Sequence, residues 1–434
     1  MTSIESLSRL VEPNRVHRRL YVDPAIFDLE IDRIFGRAWI YVGHESQLSN
    51  AGDYVTAVVG RQPIIVARHL DGSIQALYNR CAHRGASLVA SSSGNVRFFR
   101  CCYHGWTFRT DGELLSIPLR RGYDGTPADT RNPAFSMRKV ARVESYRGFL
   151  FVNLAAEGPD LRTFLGGIAT SLDDMVDRAP ARRIAIIGRP FRILQRSNWK
   201  LFFENLNDAM HALSTHESSV DAARLALSRL NDRGSPATTY ASGGIAAIEK
   251  NGISYSTWDK TTTTVFERGH SFMGGFSNPA SYEHSYVDAL AARCGVDEMR
   301  RTLSVNRHNS IIYPSCALRA AYQQLRVIRP LAVDRTLIEI HNFQLLGAGA
   351  SSDRLAMSFS NLVNAPSSIV MADDIEAFNR VQEGLETEGS DWISLDRNYG
   401  RDRTESDHIT GVATSELPMR NQMRAWLEYV TGGD

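Results

Sequence analysis

Apolar residues recur at helical spacing in the stretch NWKLFFENLNDAMHALSTHES, residues 198–218. This periodicity predicts an amphipathic helix, with Asn198 as its N-cap. Asp208 and His211 are three residues apart and would share one face of the helix. His216 would lie about 140° further round the same helix, so the helix must end or bulge before it. With that break, both imidazole rings could approach one metal ion.

Two imidazoles and one carboxylate, with open coordination positions, form the ligand set of non-heme Fe(II) oxygenases. The alternative for this stretch is a pair of histidines that caps or packs the end of a helix. The stretch by itself leaves both interpretations open.

Shorter runs of β-type residues fill much of the first third of the chain, and they predict an all-β module. Asp-Gly pairs at 71–72 and 111–112 each separate two such runs and predict hairpin turns. A helical, partly basic arm precedes the module, and a longer region follows it. We therefore expect an N-terminal helical arm (1–38), the β module (39–155) and a second domain (156–434).

The C-terminal half predicts both helices and strands. Residues 218–300 are rich in Ser, Thr and Gly with little periodicity, so we expect irregular loops that cover or shape a site. Between 303 and 345, apolar and polar residues alternate around a turn at 333–335, which predicts antiparallel strands with one face on the core. The segments 367–386 and 419–430 carry helical apolar stripes. The predicted fold class is therefore α+β.

Composition narrows the class of protein. The chain has 434 residues, of which 43% are hydrophobic and 22% charged, so we expect a globular protein of two or three domains. A net charge of +1 without blocks of like charge argues against a nucleic-acid partner. No apolar run approaches about 18 residues and the N-terminus has no apolar signal core, so we expect a cytoplasmic protein without a membrane partner.

The sequence also limits the redox chemistry. Five cysteines are too few, and odd in number, for a secreted disulfide framework. No G-x-G-x-x-G motif follows a strand and no Walker-type loop is present, so no flavin or nicotinamide site is evident. Any reducing equivalents must then arrive from another protein.

Two Cys/His pairs stand in the β module, Cys81 with His83 and Cys101 with His104. Each loop supplies one thiolate and one imidazole, which suits a two-iron cluster whose cysteines hold one iron and whose histidines hold the other. Structural zinc is the alternative, but its sites usually place like ligands next to each other.

Taken together, CAHRG (81–85), CCYHGWTF (101–108) and the 198–218 stretch resemble the large (alpha) subunit of Rieske non-heme iron ring-hydroxylating oxygenases. The likeness covers nearly the whole chain. It implies a Rieske [2Fe–2S] domain over 39–155 and a catalytic mononuclear-iron domain over 156–434. For the catalytic domain it implies an antiparallel sheet flanked by helices, of the helix-grip or START-like type.

The resemblance also implies the metal ligands. One departure is Cys102, which stands where the family usually has proline; a small side chain should fit there, and the role of this oxidisable thiol is open. By matching positions, Cys81 and Cys101 would bind one iron of the cluster, His83 and His104 the other, and His211 and His216 a mononuclear Fe(II).

Asp373 and Asp374 are the carboxylates available as a third ligand of the Fe(II). Near a helix start they could instead complement the helix dipole. The family pattern places the ligand on this helix, and the spacing to the later Gln-x-Gly-Leu favours Asp374.

The implied activity is that of a terminal oxygenase, which takes electrons from a separate NAD(P)H-dependent reductase, possibly through a ferredoxin. It would hydroxylate an aromatic substrate with O2, most often by cis-dihydroxylation. Asp208 could orient His211 by a hydrogen bond, and the resemblance implies that it also reaches His104 of the partner subunit. The assembly would be a homotrimer, or α3β3 with a small beta subunit.

The C-terminal half looks most like family members acting on aromatic acids such as terephthalate, anthranilate or salicylate. Arg307 and Arg326 could then bind the substrate carboxylate, and Met210 and Leu206 are further candidate substrate contacts. The alternatives are a Rieske monooxygenase that hydroxylates or demethylates a non-carboxylate substrate, a Rieske electron-transfer protein, and a zinc-stabilised binding protein.

Overall fold

The computed structural model describes residues 4–230, 236–275 and 282–432. The chain forms two compact units, one of Phe35–Leu161 and one that combines Met1–Ile34 with Arg162–Asp434. The second unit is therefore discontinuous along the chain, and the N-terminal residues belong to it. Within the described ranges, every helix is too short or too polar to cross a bilayer.

The N-terminal segment consists of short helices and a small antiparallel hairpin. The third helix begins with Pro24 at its first position and with the carboxylate of Asp23 accepting a hydrogen bond from the amide of Ala25, which is a typical N-cap. A π-helical turn continues this helix to Phe35. The elements are α1 (Ile4–Ser8), β1 (Val11–Glu12), β2 (Arg15–His17), α2 (Arg19–Val22) and α3 (Pro24–Glu30).

The unit of residues 35–161 is built from short strands. They are β3 (Ile40–His44), β4 (Asp53–Val59), β5 (Gln62–Arg68), β6 (Ile74–Tyr78), β7 (Ser93–Asn95), β8 (Phe98–Arg100), β9 (Thr107–Arg109), β10 (Leu114–Ser116), β11 (Arg142–Tyr146) and β12 (Phe149–Asn153).

These strands form three antiparallel sheets, in the orders β6-β5-β4-β7, β10-β9-β8 and β11-β12-β3. Both predicted hairpins are confirmed, since the Asp-Gly pairs at 71–72 and 111–112 connect β5 with β6 and β9 with β10. Gly72 and Gly112 have positive φ, which these turns require and which glycine adopts without strain.

The discontinuous unit contains the long sheet and most of the helices. After the N-terminal segment it continues with α4 (Leu161–Leu165), α5 (Ala169–Asp177), β13 (Ile184–Gln195), α6 (Trp199–Leu206), α7 (His211–Thr215), α8 (Glu217–Leu230), α9 (Pro236–Glu249), α10 (Tyr255–Trp258), β14 (Thr262–Val265), β15 (Ser271–Gly274), α11 (His284–Cys294), α12 (Val296–Ser304), β16 (Arg307–Ile312), β17 (Cys316–Arg319), β18 (Gln324–Ala332), β19 (Arg335–Leu345), α13 (Ala350–Phe359), α14 (Ile369–Glu386), β20 (Trp392–Ser394), β21 (Arg403–Thr404), β22 (Ile409–Val412) and α15 (Leu417–Thr431).

Its main sheet is antiparallel, with nine strands in the order β13-β19-β18-β17-β16-β15-β14-β22-β21 among the described residues. The predicted turn at 333–335 is the connection between β18 and β19, where Ala332 pairs with Arg335. Helices α6, α13, α14 and α15 all pack against strands of this sheet. The predicted α+β class and the helices of 367–386 and 419–430 are thus confirmed.

The prediction of irregular structure over 218–300 is wrong. The described residues of this region instead form five helices, α8 to α12, and the strands β14 and β15. Helices α8 and α9 pack on each other, and Ala223 and Ile248 are buried against Phe359 and Val370. Burial in this apolar cluster outweighs the weak helix propensity of the Ser, Thr and Gly residues.

The helix that begins after Asn198 ends earlier than predicted, at Leu206. The carbonyl of Leu206 accepts a hydrogen bond from Nδ2 of Asn309 (2.5 Å), and Nδ2 of Asn207 donates to Oγ of Ser271 (2.8 Å). The contact with β16 satisfies a backbone carbonyl at the end of the helix, and the contact with β15 holds the residue that follows it.

A buried carboxylate joins the N-terminal segment to the rest of its unit. Glu30 is fully buried and accepts hydrogen bonds from the indole nitrogens of Trp199 (2.8 Å) and Trp426 (2.6 Å) and from Nζ of Lys200 (2.5 Å). The start of α6 is therefore held by residues from both ends of the chain.

Candidate metal centres

Two loops of the all-β unit hold the Cys/His pairs in similar backbone turns. In the first loop the amide of Gly85 donates to the carbonyl of Cys81 (3.0 Å), and in the second the amide of Gly105 donates to the carbonyl of Cys101 (3.0 Å). Both glycines have positive φ, +78° and +72°, which a side chain would strain. The glycine in each motif is thus a requirement of the turn.

The side chains of these loops have the burial and the open atoms that an iron–sulfur cluster needs. The ring centroids of His83 and His104 lie 4.7 Å apart. Nδ1 of each ring is buried without a hydrogen-bond partner among the described residues. Cys81 and Cys101 are buried and free, and burial raises the pKa of the Cys81 thiol. Buried nitrogens normally have a partner, so two thiols and two imidazoles with open atoms fit a two-iron cluster. The neighbouring Cys102 is exposed.

In the discontinuous unit, His211, His216 and Asp374 come together. One ligand atom from each lies within 4.8 Å of the others. The Nε2 atoms of His211 and His216 are 3.7 Å and 3.3 Å from Oδ1 of Asp374, and Asn205 donates to this oxygen as well (3.1 Å). Two imidazoles and one carboxylate that leave other positions open fit a mononuclear Fe(II).

Asp373 occupies a different position from Asp374. Its Oδ2 lies 3.3 Å from Nδ1 of His216 and accepts a hydrogen bond from Oγ of Ser219 (2.7 Å). Such a carboxylate behind a histidine fixes which ring nitrogen faces the metal. The two adjacent aspartates therefore approach opposite edges of one ring.

The pKa values at this site follow from burial and from the carboxylates. Burial lowers the pKa of His211, although Asp374 and Asp208 oppose the effect. Burial also acts to lower the pKa of His216, but hydrogen bonds with Asp374 and Asp373 outweigh it and the net pKa is raised. The pKa of Asp374 is lowered, because its contacts with both histidines outweigh burial.

A cavity opens beside these three residues. Leu206 and Arg326, two of the predicted substrate residues, both line it. The other lining residues are Phe202, Asn205, Asp208, Ala209, His211, Ala212, His216, Trp258, Met273, His308, Asn309, Arg319, Val363, Asn364, Val370, Met371 and Asp374.

Two arginines share one wall of this cavity. Because Ala317 pairs with Arg326 across β17 and β18, Arg319, two residues further along β17, has its side chain on the same face of the sheet as Arg326. Arg326 is only 5% exposed, and its guanidinium donates hydrogen bonds to the side-chain amide oxygens of Gln324 and Asn309. Burial and the charge of Arg319 lower the pKa of Arg326 to about 9. Within the described residues, neither arginine forms a salt bridge.

Sequence reasoning missed Arg319 and His308. The Nη2 atom of Arg319 is 3.1 Å from Nδ1 of His308, and the guanidinium also lies over the rings of Tyr322 and Phe359 at 4.9 Å. Alternation along β17 was the available signal, since it places Arg319 on the face of Ala317, but the pairing of Ala317 with Arg326 that brings the arginines together is visible only in the structure.

Two of the predicted substrate residues lie elsewhere. Arg307 does not line the cavity, because its guanidinium donates to the hydroxyls of Ser171 and Thr170 (3.0 Å each). Met210 is also outside the cavity lining. The structure therefore does not bring these two residues together with Leu206 and Arg326 at the cavity.

Asp208 does line the cavity, but among the described residues its carboxylate does not accept the predicted hydrogen bond from the ring of His211. Oδ1 of Asp208 accepts hydrogen bonds from the amide of Met210 (2.7 Å) and from Arg397 (3.2 Å). The ring of His211 instead contacts the backbone of Asp208, and this contact acts to raise its pKa. The turn after α6 directs the carboxylate back onto its own backbone.

Comparison with known proteins adds to this geometry. Residues 38–135 match the Rieske [2Fe-2S] domain, and residues 181–432 match the catalytic domain of ring-hydroxylating alpha subunits. The alpha subunit of toluate 1,2-dioxygenase from Pseudomonas putida is 34% identical over 86% of this chain and 79% of its own length. The large subunit of anthranilate 1,2-dioxygenase from Acinetobacter baylyi is 30% identical over 89% and 80%, respectively.

A solved structure shows the same fold. Naphthalene 1,2-dioxygenase from Rhodococcus sp., bound to indole, superposes with a TM-score of 0.81 at 22% identity, covering 100% of both chains. The protein therefore has a Rieske [2Fe–2S] domain and a mononuclear-iron catalytic domain, and the side chains at both centres fit these groups. The chain belongs to the family of alpha subunits of Rieske ring-hydroxylating dioxygenases.

Proposed function

We propose that this alpha subunit hydroxylates an aromatic carboxylic acid, with O2 and with electrons from a separate NAD(P)H-dependent reductase, directly or through a ferredoxin. The observation that carries the proposal is the pair Arg319 and Arg326 in the wall of the cavity beside His211, His216 and Asp374. Terephthalate, anthranilate and salicylate are representative of this substrate class.

The charges of the cavity support an anionic substrate. A buried cation is costly unless it is paired, and the negatively charged neighbour of Arg326 is Asp374, which a bound iron would share. A substrate carboxylate would supply the counter-charge, and a guanidinium can bind it through two parallel hydrogen bonds. Apolar residues such as Leu206, Met273 and Val363 provide surface for an aromatic ring.

Relatives act on substrates of this class. Toluate 1,2-dioxygenase, 2-halobenzoate 1,2-dioxygenase and anthranilate 1,2-dioxygenase are named for benzoate-type acids. Their names also specify dioxygenation, so we extend the proposal to cis-dihydroxylation of the ring. When bound, the mononuclear iron supplies reductive activation of O2, with electrons relayed by the cluster.

We assign the ligands within this proposal. Residues 39–155 form the Rieske domain and residues 156–434 the catalytic domain, with 1–38 as an N-terminal arm. Asp373 keeps Nδ1 of His216 occupied, so that Nε2 faces the iron. Cys81, Cys101, His83 and His104 hold the cluster, and His211, His216 and Asp374 hold the mononuclear iron.

Asp208 serves in electron transfer between subunits. Its Oδ1 is used by Met210 and Arg397, while Oδ2 accepts no hydrogen bond from the described residues. This oxygen is available to His104 of the partner subunit, in a homotrimer or in an α3β3 assembly with a small beta subunit. A carboxylate that accepts a hydrogen bond from the ring of a ligating histidine would orient that ring.

The substrate class is tested by comparing the binding and turnover of 4-methylbenzoate with those of p-xylene, which has a methyl group in place of the carboxylate. Dissociation constants and product yields from the chemically reduced enzyme in a single turnover give two independent readouts. We expect the acid to be favoured, and Arg326→Met and Arg319→Met to weaken acid binding roughly tenfold or more. Arg307→Met is the matched control and should leave acid binding unchanged, because Arg307 lies outside the cavity.

Equal or better binding of the neutral compound by the natural protein would refute the proposed substrate class. The type of oxygenation is tested separately with isotopically labelled O2. Two labelled oxygen atoms in each product support dihydroxylation, and one labelled atom identifies a monooxygenase.

A further inference from the structure

The ring of His308 lines the same cavity as the iron ligands but has no role in the assignments above. It is not one of the three residues that converge as metal ligands. It contacts Trp258 edge to face, with 5.4 Å between ring centroids, and this contact limits its rotation. His308 is therefore a polar group of restricted orientation in the wall of the cavity, beside Arg319.

The contact with Arg319 determines which ring nitrogen carries the proton. Nη2 of Arg319 lies 3.1 Å from Nδ1 of His308. A guanidinium has only donors, so Nδ1 of His308 must be the acceptor. The proton of the neutral ring then lies on Nε2. In the described parts of the chain, Nε2 of His308 has no hydrogen-bond partner.

The surroundings keep the ring neutral. Burial, with the nearby charges of Arg319 and Arg326, holds the pKa of His308 well below its usual range. A neutral ring with Nδ1 occupied is a donor only, through Nε2. A donor that has no protein partner in a cavity favours a ligand that carries an acceptor there.

We propose that His308 is a specificity-determining residue, which uses its Nε2–H to select aromatic substrates with a hydrogen-bond acceptor as a ring substituent. An ether or hydroxyl oxygen is such an acceptor, whereas an alkyl group is not. The inference deepens the proposed function, because the carboxylate of the acid would occupy the arginines and the second substituent would reach His308. Substrate recognition would then have two points, with Arg319 contributing to both.

The test uses pairs of compounds that match in size and differ in one acceptor atom. These are 2-methoxybenzoate with 2-ethylbenzoate, 3-methoxybenzoate with 3-ethylbenzoate, and the neutral pair methoxybenzene with ethylbenzene. Dissociation constants for the iron-loaded protein are measured first, and total product in a single turnover second. For the natural protein we expect a methoxy preference of roughly three- to tenfold in at least one pair.

Variants separate recognition from general damage. His308→Phe should reduce the ratio of affinities for the methoxy and the ethyl compound to about one, while ethyl compounds still bind. His308→Gln, which keeps a donor, should retain part of the methoxy preference. Arg319→Met frees Nδ1 and should lower the ratio, whereas Arg319→Lys keeps a donor toward Nδ1 and should preserve it. A merely structural role would weaken both members of each pair equally and leave the ratio unchanged.

A ratio near one for every pair in the natural protein, or an unchanged ratio in His308→Phe, would overturn the inference. Failure of the proposed substrate class has a different signature. In that case the neutral pair binds as well as the acids, and the ratio within the neutral pair still reports on His308.

Discussion

Nδ1 of His216 lies 3.3 Å from Oδ2 of Asp373, while Nε2 at the opposite edge of the same ring lies 3.3 Å from Oδ1 of Asp374. Two adjacent carboxylates on α14 therefore have different tasks. Asp374 is one of the three converging side chains, and Asp373 contacts the ring of His216 from the other side. This division leads to two contrasting expectations for iron binding.

His211→Ala should remove the mononuclear iron and leave the cluster intact. The cluster residues lie in the other compact unit of the chain, so their loops should not respond to the change. Metal analysis should give about two iron atoms per chain instead of about three, with an unchanged visible spectrum and no product. Product formation at the natural rate would show that His211 is not an iron ligand.

Asp373→Asn should retain the mononuclear iron but bind it more weakly. The amide cannot supply the charge that supports His216, and loss of such an outer partner typically costs about 10- to 100-fold in metal affinity. Competition with a chelator, followed by iron analysis, measures this. Asp374→Asn is the comparison and should lose more affinity, so equal affinity in the two variants contradicts the assignment.

Glu30→Ala should strongly destabilise the discontinuous unit. The change leaves the buried ammonium of Lys200 without its carboxylate and removes the acceptor for two indole nitrogens. Breaking a buried pair from one side costs about 3–5 kcal/mol in the free energy of unfolding. Denaturant titration followed by tryptophan fluorescence should show the loss, and the exposed Glu388→Ala should change the midpoint little.

Glu204 should make stability depend on pH. Burial raises the pKa of its carboxyl from 4.5 to about 7, although the hydrogen bond from Tyr21 opposes the effect. Between these values the unfolded chain releases the proton and the folded chain keeps it, so stability falls as the pH rises from 4.5 through 7 and is constant above. Glu204→Gln cannot ionise and should lack this loss.

The thermal midpoint of Glu204→Gln, relative to the natural protein, should therefore increase between pH 5 and pH 7.5 and then level off, by an amount corresponding to roughly 2–3 kcal/mol. The exposed Glu388→Gln serves as the control and should track the natural protein at every pH. A constant difference across the range would show that the carboxyl of Glu204 titrates normally.

Features set by nearby residues could be predicted from the sequence. The hairpins at 71–72 and 111–112 depend on glycines in positive φ, and α14 depends on one apolar stripe with a cap at Ser368. Convergence of His211 with Asp374 followed the family resemblance, since the two residues are far apart in the chain.

Features set by distant partners could not be predicted. The early end of α6 depends on Asn309, about a hundred residues away, which binds the last helical carbonyl. Which arginines line the cavity also depends on distant partners. Arg307 donates hydrogen bonds to the hydroxyls of Ser171 and Thr170, whereas Arg319 donates one to His308. Such partners are known only when the register of the strands is known.

The carboxylate of Glu30 has a consequence for synthesis on the ribosome. Its partners Trp199 and Trp426 are translated long after it, and the whole of Phe35–Leu161 emerges in between. The β-rich unit can fold as soon as it leaves the exit tunnel, because domains generally fold as units during translation. The discontinuous unit must wait for α15, so the nascent chain carries its N-terminal helices without Trp426 until that helix has been translated.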